Sequence, residues 1–259
     1  MLLAIDIGNS NVVIGCLNKD NKTQCLLRMV TDLKKTEDEY AAGMQTILTH
    51  NGIDCRRFEG AIICSVVPPL TEIFRLAVER VVGLRAMVVG PGTKTGLNIL
   101  IDDPATLGSD LVAAAVAAVD EYPQPVIIID MGTATTITVV DSGNRFLGGA
   151  IVPGVALSMN ALSAGTSLLH KVPIEAPKKC IAGTTTACMQ SGAVYGTAAM
   201  LDGMIDRFRQ ELGKEAAVVA TGGLASRIVP LCRNPIACDE HLLLKGMYIL
   251  YKKNRREKI

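Results

Sequence analysis

One short pattern occurs twice in this chain, and the repetition constrains its fold more than any other feature. Residues 2–10 read LLAIDIGNS and residues 126–136 read VIIIDMGTATT. In each copy an apolar run ends in Asp-x-Gly and a small polar residue. A second apolar stretch follows, NVVIGCL after the first and TITVVD after the second. The unit predicts a buried strand, a tight turn and an antiparallel neighbour. A copy in each half predicts two similar domains facing each other across a cleft. Turn N–H groups and a carboxylate would then be presented to that cleft, an arrangement suited to a metal-bound polyphosphate.

The rest of the pattern alternates strands and helices. Strands are predicted over 2–7, 11–17, 24–31, 61–67 and 86–89, with helices over 35–51 and 70–82. The Gly- and Pro-punctuated stretch 90–108 is read as a crossing between domains, followed by a helix from Ser109 or Asp110 to Ala118. The second half repeats the plan. Strands are expected near 126–131, 135–141, 146–152 and 216–223. A helix is expected to open at Pro153, a long one to cover 186–212, and a last one to cover about 240–251. The basic residues Lys252, Lys253, Arg255, Arg256 and Lys258 read as a frayed, solvated end.

Composition narrows the chemistry. A formal net charge of +1 gives no sign of a nucleic-acid groove or an acidic partner. Trp is absent and Phe and Tyr are few, so platforms for stacking single-stranded bases are scarce. The eight cysteines form no CxxC pair, and Cys16 and Cys64 lie in apolar runs where a free thiol acts as a small hydrophobe. With no apolar run of membrane-spanning length and no basic leader before the first strand, a reducing cytoplasm is the expected location.

Within DIGNSN, Gly8 lets a phosphate approach the backbone, Asp6 can hold Mg²⁺ directly or through water, and Asn9, Ser10 and Asn11 offer short polar groups. A plain β-hairpin has the same composition. The second loop, with Thr133, Thr135 and Thr136 around one turn, favours phosphate binding over turn propensity. Asp110, at the start of an Ala-rich helix, reads either as an N-cap or as a carboxylate placed to take a proton from a substrate hydroxyl. Gly222 and Gly223 in ATGG read as an approach for adenine or ribose, or as a strand-to-helix turn. Gly148, Gly149 and Gly154 in GGAIVPG read as a close crossing or as turns. Thr184 or Thr185 caps the following helix, and His170, lacking an acidic or Cys neighbour, reads as structural.

Six segments in order, DIGNSN at 6–11, DDPATLGSD at 102–110, DMGTATT at 130–136, GGAIVPG at 148–154, TTACMQSG at 185–192 and ATGG at 220–223, resemble the type III pantothenate kinases. These belong to the acetate and sugar kinase/Hsp70/actin superfamily. The resemblance implies an α/β protein of two actin-like (ribonuclease H-like) domains, with mixed sheets flanked by helices. It divides the chain into 1–107 and 108–259, the latter with dimerisation helices, and implies a homodimer. The implied reaction moves the γ-phosphoryl of ATP to the primary hydroxyl of pantothenate, the first step toward coenzyme A. No nucleic acid or membrane partner is implied.

Carried over by residue, Asp6, Ile7, Gly8, Asn9, Ser10, Asn11, Val12 and Val13 resemble the ATP phosphate loop, and Thr133 an ATP contact. Asp110 matches the catalytic base, and Asp130 the ligand of K⁺ or NH₄⁺. Gly108, Ser109, Asp110 and Leu111 fall in the substrate motif, and Thr185 resembles a pantothenate contact. Three positions depart from the family pattern: Leu111 where Arg is usual, Ile101 where Tyr is usual, and Ala182 where Gly is common. A non-catalytic ATP-binding regulator and a kinase for a related small alcohol are the alternatives. An actin- or Hsp70-like ATPase is disfavoured because 259 residues leave little room for a partner-binding domain.

Overall fold

The structure, a computed structural model, describes residues 1–255. The first half contains β1 (Leu2–Ile7), β2 (Asn11–Leu17), β3 (Thr23–Val30), α1 (Glu37–His50), β4 (Gly60–Ser65), α2 (Pro68–Val82), β5 (Met87–Val88), β6 (Asn98–Ile99) and α3 (Ser109–Glu121). Then come β7 (Val126–Met131), β8 (Ala134–Val140), β9 (Arg145–Pro153), α4 (Val155–Ala164), α5 (Thr185–Leu212), β10 (Ala217–Thr221), α6 (Ala225–Ile228), β11 (Ala237–Cys238) and α7 (Leu242–Asn254).

These elements form two compact units that are not the consecutive halves expected. The first contains Met1–Leu97, Asp102–Ala117 and the chain from His241 on; the second contains Asn98–Ile101 and Ala118–Glu240. Packing accounts for the difference. The apolar faces of α3 (Ala113, Val116) and α7 (Leu244, Met247, Leu250) cover the first sheet, while Asn98 and Ile99 add an edge strand to the second by pairing with Arg145 and Phe146.

The first sheet runs β3-β2-β1-β4-β5, with β1–β3 antiparallel and β4 and β5 parallel to β1. The second runs β11-β10-β7-β8-β9-β6, the same order with one strand added. The two hairpins also share a burial profile: β1 and β7 are buried at every position except the Asp at the fifth, which is half-buried. Strands covered on both faces read as continuous apolar runs, as these do.

Side-chain alternation sorts the first core. Leu3, Ile5 and Ile7 pack with Tyr40, Met44 and Leu48 of α1 and with Leu70, Phe74 and Ala77 of α2. Leu2 and Ala4 face the other way, with Ile62, Cys64, α3 and α7. In the second unit Ile127, Ile129 and Met131 pack against Val194, Ala198, Leu201 and Ile205 of α5.

Local chemistry sets several boundaries. Thr36 and Glu39 form a reciprocal capping box at α1. Pro68 and Pro69 fill the first turn of α2, where a missing N–H costs nothing. Pro153 ends β9, and Gly154 rather than proline precedes α4. The helical end at Lys252–Asn254 is pinned rather than frayed: Asn254 bonds both the N–H and the carbonyl of Lys94 (2.8 and 2.9 Å), and the Lys253 ammonium donates to Thr95 O (3.0 Å). Arg256 and Lys258 lie outside the described residues.

Candidate active site

Alternation along β1 places Asp6 on the face of Leu2 and Ala4, toward α3. In register Asp6 sits between Val13 of β2 and Cys64 of β4. The turn beyond it is closed by Gly8 N–H donating to Asn11 O at 3.0 Å. Thr31, one residue past β3, fixes both ends of that turn: its hydroxyl donates to Gly8 O (2.6 Å) and its N–H to Ser10 O (3.2 Å). Asn9, Ser10 and Asn11 are exposed. Ile7 and Val12 are 0 % exposed, so only their backbone can meet a ligand, and Val13 is half-buried.

Asp110 is the second residue of α3. Gly108 O accepts the Val112 N–H, which makes Gly108 the cap. The Asp110 carboxylate instead accepts the Leu111 N–H at 2.8 Å, satisfying one open donor of the first turn. Burial raises the Asp110 pKa above the ordinary carboxylate value, against the lowering effect of that N–H. The buried Cys64 thiol lies within range of both acids. Burial first, and then the charges of Asp6 and Asp110, push its pKa well up. Cys64 therefore stays a neutral thiol; Asp6 is its register partner on β1, and its Sγ lies 3.7 Å from the carbonyl of Ser109, the residue before Asp110.

In the second unit Asp130 occupies the corresponding position, between Thr136 of β8 and Thr221 of β10. The turn is one residue shorter, with Gly132 N–H donating to Ala134 O at 3.0 Å. Gly154 N–H donates to Thr133 O (3.0 Å), and a Cβ at Gly154 would lie 2.4 Å from the carbonyl oxygens of Gly132 and Thr133. Only glycine lets the start of α4 close on this turn. Thr133 is exposed. Thr135 is 1 % exposed and does not belong to the open turn. Thr136, cross-strand neighbour of Asp130, has a buried hydroxyl oxygen without a hydrogen-bond partner among the described residues.

The ATGG glycines separate. Gly222 has φ +94° and lies against the Met131 backbone, so its close approach is to the protein's own chain; a Cβ on Gly223 would meet nothing within 4 Å. Gly149 packs against the backbone of Ile137 and Thr138 within the β8–β9 ladder, so the Gly148–Gly149 pair belongs to a strand rather than a turn.

At α5, Thr184 is the cap, its hydroxyl accepting the Ala187 N–H at 3.2 Å. Thr185 is the first helical residue and exposed, without a capping duty. Ile101 belongs to the second unit, near Gly148, whereas Leu111 belongs to the first. His170 is exposed on an irregular segment. Sequence reasoning missed Thr31, Ser65 and the place of Cys64. A hydroxyl residue directly after β3 was the available signal for Thr31; Cys64 carried none.

Among the described residues, no three His, Cys, Asp or Glu side chains converge as a metal site. None of the helices described is long and apolar enough to cross a membrane.

Comparison with known proteins finds relatives that span nearly the whole chain. A family model described as type III pantothenate kinase matches residues 2–207. A protein of Brevibacillus brevis with that name is 41 % identical over 263 residues, covering 98 % of this chain and 100 % of its own. One from Moorella thermoacetica, named likewise, is 38 % identical over 254 residues, covering 98 % and 100 %. Among solved structures, a conserved Baf family protein of Campylobacter jejuni superposes with a TM-score of 0.62 at 19 % identity, covering 97 % of this chain and 98 % of its own, which shows a shared fold.

Proposed function

The chain belongs to the type III pantothenate kinase family, and from that premise we propose how its residues divide the work of moving the γ-phosphoryl of ATP to pantothenate. Asp110 takes the proton of the primary hydroxyl as the new O–P bond forms. The bond from the γ-phosphorus to its bridging oxygen breaks, and its electron pair leaves with ADP. In the first unit the turn at Gly8–Asn11 is assigned to phosphate oxygens; in the second, Thr133 is assigned an ATP contact and Thr185 an acceptor contact; no covalent protein intermediate forms. Catalysis of this kind is positioning and charge neutralisation. The observation that carries the reading is geometric: Asp6 is the register partner of Cys64, and the Cys64 thiol contacts Ser109 O, one residue before Asp110, at 3.7 Å.

The donor sets suit the ions. Asp6 is a half-buried carboxylate, and among the described residues no three His, Cys, Asp or Glu side chains form a cage, which suits Mg²⁺, since that ion takes one or two carboxylates plus substrate phosphates. Asp130 with the orphaned Thr136 hydroxyl suits K⁺ or NH₄⁺. Bound there, such ions would neutralise phosphate charge.

The test is ADP release with ATP and pantothenate, in KCl and in NaCl. Release that requires pantothenate and is faster in KCl is expected. ATP binding without release would favour the non-catalytic regulator.

Leu111 cannot donate to the acceptor's carboxylate. An arginine there would add a charge-assisted hydrogen bond, so Leu111→Arg is expected to lower the pantothenate KM by roughly 10-fold with little change in kcat. An unchanged KM in steady-state kinetics removes this account of the departure.

A homodimer fits the apolar exposure of the second unit, where Ile151, Leu168 and Ile181 are 73, 83 and 93 % exposed. Eight unpaired cysteines fit a reducing cytoplasm.

A further inference from the structure

Ser109 falls in the segment expected to touch the acceptor, yet its hydrogen bonds go to the protein itself. The cause lies in the lengths of two neighbouring strands. β5 pairs only with Ile62 and Ile63, so β4 runs on past its neighbour. Val66 N–H, facing the other side, donates to Ile7 O at 3.0 Å. The N–H and carbonyl of Ser65 face the side β5 has left. Ser109 takes both: its hydroxyl accepts the Ser65 N–H (2.9 Å) and donates to Ser65 O (3.2 Å). One side chain does there what a strand residue would do. The Cys64 thiol adds a contact to Ser109 O at 3.7 Å. Ser65 is itself held, its hydroxyl accepting from Thr71 Oγ1 (2.9 Å) and bonding the Val67 backbone (3.2 Å). A hydroxyl has one proton, and that of Ser109 is committed to Ser65 O.

We propose that Ser109 is the positioning residue for Asp110. By closing the open end of β4 it fixes the first turn of α3, and so sets where the Asp110 carboxylate stands and how deeply it is buried. The inference rests on the reading of Asp110 as the base, and it replaces an acceptor contact for Ser109.

Ser109→Ala leaves two backbone groups of Ser65 without partners and frees the turn. The expected result is a kcat lower by roughly 10–100-fold, the loss of two hydrogen bonds, with the ATP KM within about 2-fold. Burial raises the Asp110 pKa, so added hydration lowers it, and the acid limb of the kcat–pH profile should move to lower pH. Ser109→Thr keeps the hydroxyl and should restore both kcat and the limb. Ser109→Cys keeps a weak donor and should fall between; it carries the test if the Ala variant does not fold. In an Asp110→Asn background, Ser109→Ala should cost nothing further in kcat, because the two act as one unit.

An unchanged kcat and limb in Ser109→Ala overturns the proposal, as does an additive loss in the double variant. Full turnover by Asp110→Asn alone would instead overturn the base assignment. An inactive Asp110→Asn beside an unaffected Ser109→Ala would overturn only the clamp.

Discussion

Asp110→Asn is expected to retain ATP binding and to lose roughly 10²–10⁴ in kcat, the range for a positioned acid or base. Asparagine has the same shape, and its amide oxygen can still accept the Leu111 N–H, so the first turn of α3 keeps its bond. It cannot take the hydroxyl proton. Stability separates this from unfolding. A carboxyl whose folded pKa is raised costs stability once it ionises in the folded state. That cost is present above the folded pKa and disappears below the unfolded one. Asparagine removes it, so the melting temperature should not fall. In the parent, activity should be lost as pH falls through a value above the ordinary carboxylate range, and the variant's residual rate should lack that limb. Single-turnover rates and nucleotide titration measure both. A variant with full turnover, or one that no longer binds ATP, removes Asp110 from the role.

The repeated hairpins were legible because their pattern is local. An apolar run, Asp-x-Gly and a second apolar run determine strand, turn and antiparallel partner within a dozen residues. Asp6 and Asp130 accordingly occupy the same place in their units. What depends on distant packing was not legible. Nothing near residue 107 announces that α3 and α7 cover the first sheet, since their apolar faces would cover either sheet equally well. Asp110 looked like an N-cap because an acid at a helix start usually is one; the cap is Gly108, whose carbonyl accepts the Val112 N–H. Ser109 was assigned to substrate from its place in a motif. Its actual partners follow from a two-residue β5, a length that no pattern in MVVG declares. Pro153 suggested the first turn of a helix, a place where proline is common; its pairing with Ala134 makes it the end of β9 instead.

Gly222→Ala and Gly223→Ala, one residue apart, should behave very differently. At Gly222 a Cβ would stand 2.6–2.7 Å from the N, C and O atoms of Met131, all of them backbone, and φ is +94°. A side chain there is unfavourable in conformation and in space, and neither neighbour can yield without moving β7. Together these cost roughly 2–5 kcal/mol, which lowers the melting temperature by about 5 °C or more in a chain of this size. The displaced backbone is that of the residue after Asp130, whose register partner on β10 is Thr221, next to Gly222. A shift therefore reaches the carboxylate assigned to the monovalent cation, and the stimulation by KCl over NaCl should weaken along with stability. At Gly223 a Cβ would find open space, so its alanine variant should stay within about 1 kcal/mol of the parent. Thermal unfolding and the paired salt assay on both variants decide the matter. Equal stability of the two would mean that the contact with Met131 does not hold the end of β7. A destabilised Gly222→Ala that keeps its full KCl stimulation would mean that Asp130 does not hold the ion.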